Sequence, residues 1–236
     1  MLTRRTFPRW LAGGLLLAGC SAADWSLDAL NRREPLSLET IVAGLREALE
    51  VGTGNAVRAA SRRGGYGQNP AIRIPMPTEL EKMAATLRGV GLDAQVDAFE
   101  EKMNEAAEEA AKQATSVFVG AIRDMTFDDA RQILNGGETA ATDYFRRKTS
   151  EPLKGLYRPA VREQMEKVGL VKAYNDLLKH YLKLPLVPKP KLDLDEYVTD
   201  RARAGLFDTV AGEERKIRRD PAARTTELLR RVFARQ

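Results

Sequence analysis

From Ser37 onward, apolar residues recur at alternating steps of three and four, and stretches with a two-residue period are nearly absent. That spacing lays them along one stripe of an α-helix, so it restricts the chain to packed helices and predicts an all-α fold. The longest stripe is Val96, Phe99, Met103, Ala106 and Ala110, continued by Ala114, Val117, Ala121 and Met125. It predicts one long helix from Asp93 towards Met125, with alanines that let a neighbour approach closely.

Punctuation divides the rest of the chain. Ser37 can cap a helix to about Ser61, apolar at Leu38, Ile41, Leu45, Leu49 and Ala56, in which Gly52 and Gly54 predict a close crossing or a kink. Residues 63–70 are a glycine-rich break. Ile72 and Ile74 belong to a segment expected to be extended, because residues before proline avoid the helical region. Pro77 suits the first turn of a helix ending at Gly89 or Gly91. Thr126 with Asp129 resembles a capping box, and Asn135-Gly136-Gly137 closes that helix. Glu138 to Lys148 reads as one helix, and Ser150-Glu151-Pro152 as the start of another that Gly169 ends. Val171, Tyr174, Leu177, Leu178 and Tyr181 mark the next. Residues 184–191 carry three prolines and must connect. Asp193 with Glu196 caps a long helix to about Arg218, and Asp220-Pro221 opens the last, ending in Leu228, Leu229, Val232 and Phe233. The expectation is a single multi-helix bundle over residues 36–236.

Residues 1–19 stand outside this pattern and read as a cleaved export signal. Arg4, Arg5 and Arg9 precede an apolar run at residues 11–18, which is too short for a permanent membrane span. The run ends in Leu17-Ala18-Gly19-Cys20, which resembles a bacterial lipobox, in which small residues fit the peptidase and the Cys20 thiol accepts a diacylglyceryl group. Cys20 would then be the acylated N-terminus, with residues 20–35 as a polar tether. A cysteine simply buried in a first helix is the bland alternative. Residues 3–9 also resemble a twin-arginine signal built on Arg4 and Arg5, departing from it at Pro8 and Arg9; a general-secretion signal explains them as well. Ser21 in place of aspartate favours the outer membrane by resemblance to Gram-negative lipoproteins, and the expected location is periplasm-facing.

Losing Arg4, Arg5 and Arg9 leaves 35 of 38 basic residues against 33 acidic ones, so the formal charge falls from +5 to +2. Most of the chain's basicity is thus export signal, and no nucleic-acid partner is expected. One cysteine permits no internal disulfide, and one histidine, His180, excludes most metallohydrolase and triad designs. No cofactor or metal is expected.

Few constellations remain. Glu100, Glu101, Glu105, Glu108 and Glu109 lie along one predicted helix, and pairs four apart can chelate a hard cation or form a solvated acidic face offset by Lys102 and Lys112. Asp176 and His180, four apart, can pair as a carboxylate-oriented base or sit as ordinary surface groups. Arg73 falls between two isoleucines, while Arg146, Arg147 and Arg224 fall near helix ends beside Thr149, Ser150 and Thr225. Gathered together, these arginines would grip a phosphate or carboxylate; apart, each would pin a loop to the bundle.

Asn69-Pro70-Ala71-Ile72-Arg73-Ile74-Pro75, Met103-Asn104-Glu105-Ala106-Ala107-Glu108, Ile133-Leu134-Asn135-Gly136-Gly137, Tyr144-Phe145-Arg146-Arg147-Lys148-Thr149-Ser150 and Asp220-Pro221-Ala222-Ala223-Arg224-Thr225-Thr226 occur in order. Together they resemble the bacterial lipoproteins catalogued as domain of unknown function 4197, departing at Gln68. The resemblance implies a helical, lipid-anchored envelope protein without assigned catalytic residues. Two functions follow as expectations. One is a non-enzymatic binding or scaffolding lipoprotein, held to the membrane through Cys20 and engaging an envelope protein, lipid or polymer. The other is an enzyme acting on an anionic envelope substrate in an arginine-lined pocket.

Overall fold

Ser37 caps the first helix as expected, its hydroxyl accepting from the Thr40 backbone N–H at 3.2 Å. The computed structural model describes residues 37–224 together with Thr226, Glu227 and Arg230. Arg4, Arg5, Cys20, the tether, Thr225 and the apolar end of the last expected helix (Leu228, Leu229, Val232, Phe233) lie outside the described residues.

Among the described residues there are eight α-helices and no strand. They are α1 (Leu38–Ser61), α2 (Thr78–Gly89), α3 (Asp93–Ala111), α4 (Ala114–Arg123), α5 (Phe127–Asn135), α6 (Ala140–Lys167), α7 (Leu170–Tyr181) and α8 (Leu194–Arg219), with a short 3-10 turn at Pro221–Ala223. The capping box at Thr126 and Asp129 is complete in both directions, and Asp193 caps α8 through the Glu196 N–H. α8 is the axis: α1, α3 and α6 all pack on it, while α7 closes against α2, α3 and α6. Val96, Phe99, Met103, Ala106 and Ala110 are all buried, so the α3 stripe meets the core as its spacing predicts. Gly52 marks a close crossing with no break in α1; a Cβ there would stand 3.4 Å from Ile217 on α8.

Two expected boundaries are corrected. The helix predicted from Asp93 to Met125 is divided at Lys112 and Gln113, where the Gln113 N–H reaches back only to the Ala110 carbonyl at 3.0 Å. This tight turn shifts the stripe, so that Phe118 and Ile122 replace Val117 and Ala121 on the fully buried side. Phe118 then lies 5.4 Å from Phe145 and 6.1 Å from Phe207, centroid to centroid. Burying such a ring stabilises by about 1.5–3 kcal/mol, which favours the turn that brings it inward.

The opposite happens in α6, which runs unbroken through Pro152 and Pro159. Thr149 and Ser150 do not cap a new helix. Their hydroxyls donate back to the Phe145 and Arg146 carbonyls at 2.6 Å each, a bond that suits a helix interior. Leu153, Tyr157 and Val161, all fully buried, keep the helix continuous across the missing proline donors. Gly169 then takes φ 74°, the left-handed turn that redirects the chain into α7.

Candidate functional site

The α3 helix carries polar residues where its stripe should be apolar. Asn104 and Glu108 lie one turn apart beside Met103 and Ala107, and both are buried. A buried polar group needs partners, and here the partners come from the non-helical chain between α1 and α2. Glu108 Oε1 accepts from the backbone N–H groups of Tyr66 and Gly67 at 3.0 and 3.1 Å, and Oε2 accepts from that of Gly64 at 3.0 Å. Asn104 holds the Ile74 peptide on both sides: Oδ1 accepts from Ile74 N–H at 2.8 Å, and Nδ2 donates to Ile74 O at 3.0 Å. The loop is pinned from the far side too. Tyr66 is fully buried and donates its hydroxyl to the Ala202 carbonyl of α8 at 2.5 Å, with its ring lying over Gly205. Burial pushes that phenol well above the ordinary tyrosine range.

Between this fastened loop and the outer face of α3 lies a groove of about 640 Å³. Asp97, Glu101, Glu105 and Glu109 project along it at steps of four, with Arg63 and Arg73 on the opposite wall. Much of this charge is internally matched. Asp97 meets Arg88 at 2.5 Å, Glu109 meets Lys112 at 2.5 Å, and Arg73 pairs with Glu100 at 2.8 Å. Glu101 and Glu105 have no ion-pair partner among the described residues. Lys102, expected to offset them, donates instead to the Val168 carbonyl at the α6–α7 joint. No cluster able to hold a metal ion occurs among the described residues.

The four arginines singled out by sequence have different partners. Arg73 points outward to Glu100 while Ile72 and Ile74 on either side pack inward, which explains a charge between two isoleucines. Arg146 lies 3.8 Å from Asp208 and over the Phe207 ring at 5.4 Å. Arg147 is exposed, and its charge helps to lower the pKa of Asp129. Arg224 donates to the Ile217 and Arg218 carbonyls at 3.0 and 2.9 Å, capping the C-terminus of α8. Only Arg73 of these lines the groove.

Of the two readings of Asp176 and His180, the structure gives the ordinary surface groups: both are exposed and the side chains do not pair. His180 Nδ1 sits 2.7 Å from the Asp176 backbone carbonyl, and the Asp176 carboxylate is occupied by Lys172 at 2.6 Å. The hydrogen bond from Lys172 holds that carboxyl below its ordinary range.

A second buried acid had no place in the sequence reading. Glu214 of α8 accepts from the N–H groups of Ala141 and Thr142 at 2.9 and 2.8 Å, from the Thr142 hydroxyl at 2.8 Å, and from Arg218 at 3.0 Å. Thr139, the N-cap of α6, makes no side-chain cap bond, so Glu214 supplies the acceptor from another helix. The signal was present: Phe207, Val210, Glu214 and Ile217 follow core spacing, with an acid in the third place. The apolar crevice beside it, lined by Leu45, Leu49, Phe145 and Val210, has only about 20 Å³, room for one water and not for an acyl chain.

A family model described as "Protein of unknown function (DUF4197)" matches residues 35–234. No curated protein and no solved structure matches the chain.

Proposed function

We propose, from the premise that this chain belongs to the DUF4197 family, that it is a lipid-anchored protein of the cell envelope that works by binding and not by catalysis. The anchor half rests on the order of Arg4 and Arg5, the apolar run 11–18 and Leu17-Ala18-Gly19-Cys20. Acyl chains on Cys20 would hold the helical unit at the periplasmic face, and a tether of residues 20–35 would give it a reach of roughly 55 Å when extended.

The binding half is carried by one observation. Both buried glutamates, Glu108 and Glu214, are occupied by backbone N–H groups and serve as fasteners. Of the carboxylates that line the groove, Glu101 and Glu105 have no ion-pair partner among the described residues and stand exposed, where they suit the recognition of basic groups on an envelope partner. The competing enzyme reading needs Arg73, Arg146, Arg147 and Arg224 to meet in one pocket. Instead Arg73 pairs with Glu100 on α3, Arg146 with Asp208 on α8 and Arg224 with the last carbonyls of α8, and only Arg73 of these lines the groove.

Two measurements test this. The mass of the native product should correspond to a chain beginning at acylated Cys20; an intact, unacylated N-terminus on most of the product refutes the anchor. A photo-reactive residue at Gln68, on the groove wall, should cross-link one envelope component in cells. The cross-link should disappear with Glu101→Lys and Glu105→Lys together; a cross-link indifferent to that change refutes the groove.

A further inference from the structure

We infer that the loop at residues 182–191 is a contact site for an anionic phospholipid surface: a leucine tip flanked by unpaired lysines. The loop leaves α7 as a tightening turn, with the Lys183 and Leu184 N–H groups reaching the His180 and Tyr181 carbonyls. Leu184, Val187 and Leu192 pack against the core and fix the loop to the body. Leu182 and Leu186 do the reverse. Leu186 is fully exposed (103%), and Leu182 is 44% exposed. A leucine with this exposure is unusual, and Leu186 also sits at φ 61°, where a β-carbon is strained. Pro185, Pro188 and Pro190 restrict the chain around it, so little conformational freedom is lost when the tip meets a surface.

The charge around the tip has one sign. Between Asp176 and Asp193 there is no acidic residue, while Lys179, Lys183, Lys189 and Lys191 are all exposed. None of the four joins an ion pair among the described residues, although Lys172 two turns before Lys179 does, with Asp176 at 2.6 Å. Lysines that ring an outward leucine place their ammonium groups at phosphate level while the side chain enters the interface. This complementarity selects an anionic bilayer over a neutral one. The site does not depend on acylation of Cys20, although an anchor would hold it close to its target.

The test uses the full chain with Cys20→Ser, which removes the anchor and leaves no other thiol. Leu186→Cys then carries an environment-sensitive fluorophore, and Phe127→Cys on α5, 50% exposed and on a helix that packs with α1 and α6, is the control. On phosphatidylcholine vesicles containing phosphatidylglycerol, the label at 186 should shift to the blue and resist an aqueous quencher, while the label at 127 should not. The shift should be absent on pure phosphatidylcholine. With Leu186 intact, Lys183→Glu, Lys189→Glu and Lys191→Glu together should weaken partitioning about a hundredfold while circular dichroism stays unchanged. A label at 186 that stays aqueous on anionic vesicles overturns the proposal, as does an equal response at 127 or on neutral vesicles. Because Cys20 is absent throughout, failure here leaves the anchor to be judged by the mass of the native product.

Discussion

Thr142 gives Glu214 two hydrogen bonds of 2.8 Å, one from its backbone N–H and one from its hydroxyl. With Ala141 N–H and Arg218 on the other oxygen, α8 caps the start of α6 from the side. Glu214→Ala strips the acceptor from two buried N–H groups and removes the carboxylate that Arg218 meets at 3.0 Å. Losing that acceptor and the ion pair with Arg218 should cost about 3 kcal/mol in urea unfolding, with Glu214→Gln intermediate. A loss below about 0.5 kcal/mol would show that the carboxylate is not needed there.

Glu108→Ala should loosen one loop before it unfolds the whole. The Gly64, Tyr66 and Gly67 N–H groups lose their acceptor, while Asn104 still holds Ile74. Trypsin should cut at Arg62 and Arg63 at least tenfold faster than in the parent chain, at temperatures well below global unfolding, because the cost of opening falls by about 2 kcal/mol. Unchanged cleavage would count against the fastening role.

Gly205→Ala probes the far side of the same loop. The added Cβ would lie 2.8 Å from Tyr66 Cε1 and 3.0 Å from Ile72 Cβ, both buried in the core. Although alanine is the better helix former, this substitution should destabilise by about 1–3 kcal/mol. Tyr66→Phe, which removes only the bond to the Ala202 carbonyl, should cost about 1 kcal/mol. If Gly205→Ala proves stabilising, the ring does not lie where described.

Pro152→Ala separates one helix from two. Inside a continuous α6, alanine restores a backbone donor and should stabilise by about 1–3 kcal/mol. If a new helix instead began at Ser150, proline would already be in its favoured first-turn position and the substitution would gain nothing. Thermal unfolding of the pair decides it.

Asp129 sets an acid limb. Desolvation acts to raise its pKa, but the Thr126 backbone N–H and hydroxyl, helped by Lys148 and Arg147, outweigh it and hold the carboxyl below its ordinary 3.8. A carboxyl depressed in the folded state adds stability that is present above 3.8 and lost as the pH falls through the lower folded value. Thr126→Ala should move the Asp129 titration, followed by NMR, back towards its ordinary position and make the stability loss below pH 4 shallower. It should also cost about 1 kcal/mol at neutral pH through the lost cap. An Asp129 titration unchanged by the substitution would rule this out.

Helix identity and caps were legible because they are local: Ser37, Thr126 with Asp129, and Asp193 cap where their spacing says they should. The errors at Gln113 and Pro152 arose where local signals competed with aromatic packing elsewhere in the chain. Phe118 bends one expected helix towards Phe145, and Leu153, Tyr157 and Val161 carry another through its prolines. The groove was half legible. Glu101 and Glu105 share a face as their spacing requires, but that Lys102 turns away to Val168 depends on a joint 66 residues distant. Glu108 was grouped with an acidic helix face and Glu214 was passed over for one reason: an acid in a core stripe demands buried donors, and these come from another part of the chain.

Asn104 has a consequence beyond its own loop. Its amide meets both the N–H and the carbonyl of Ile74, much as a neighbouring β-strand would. A helix side chain thereby hides the kind of open main-chain edge through which protein copies crowded at a surface recruit one another into aggregates.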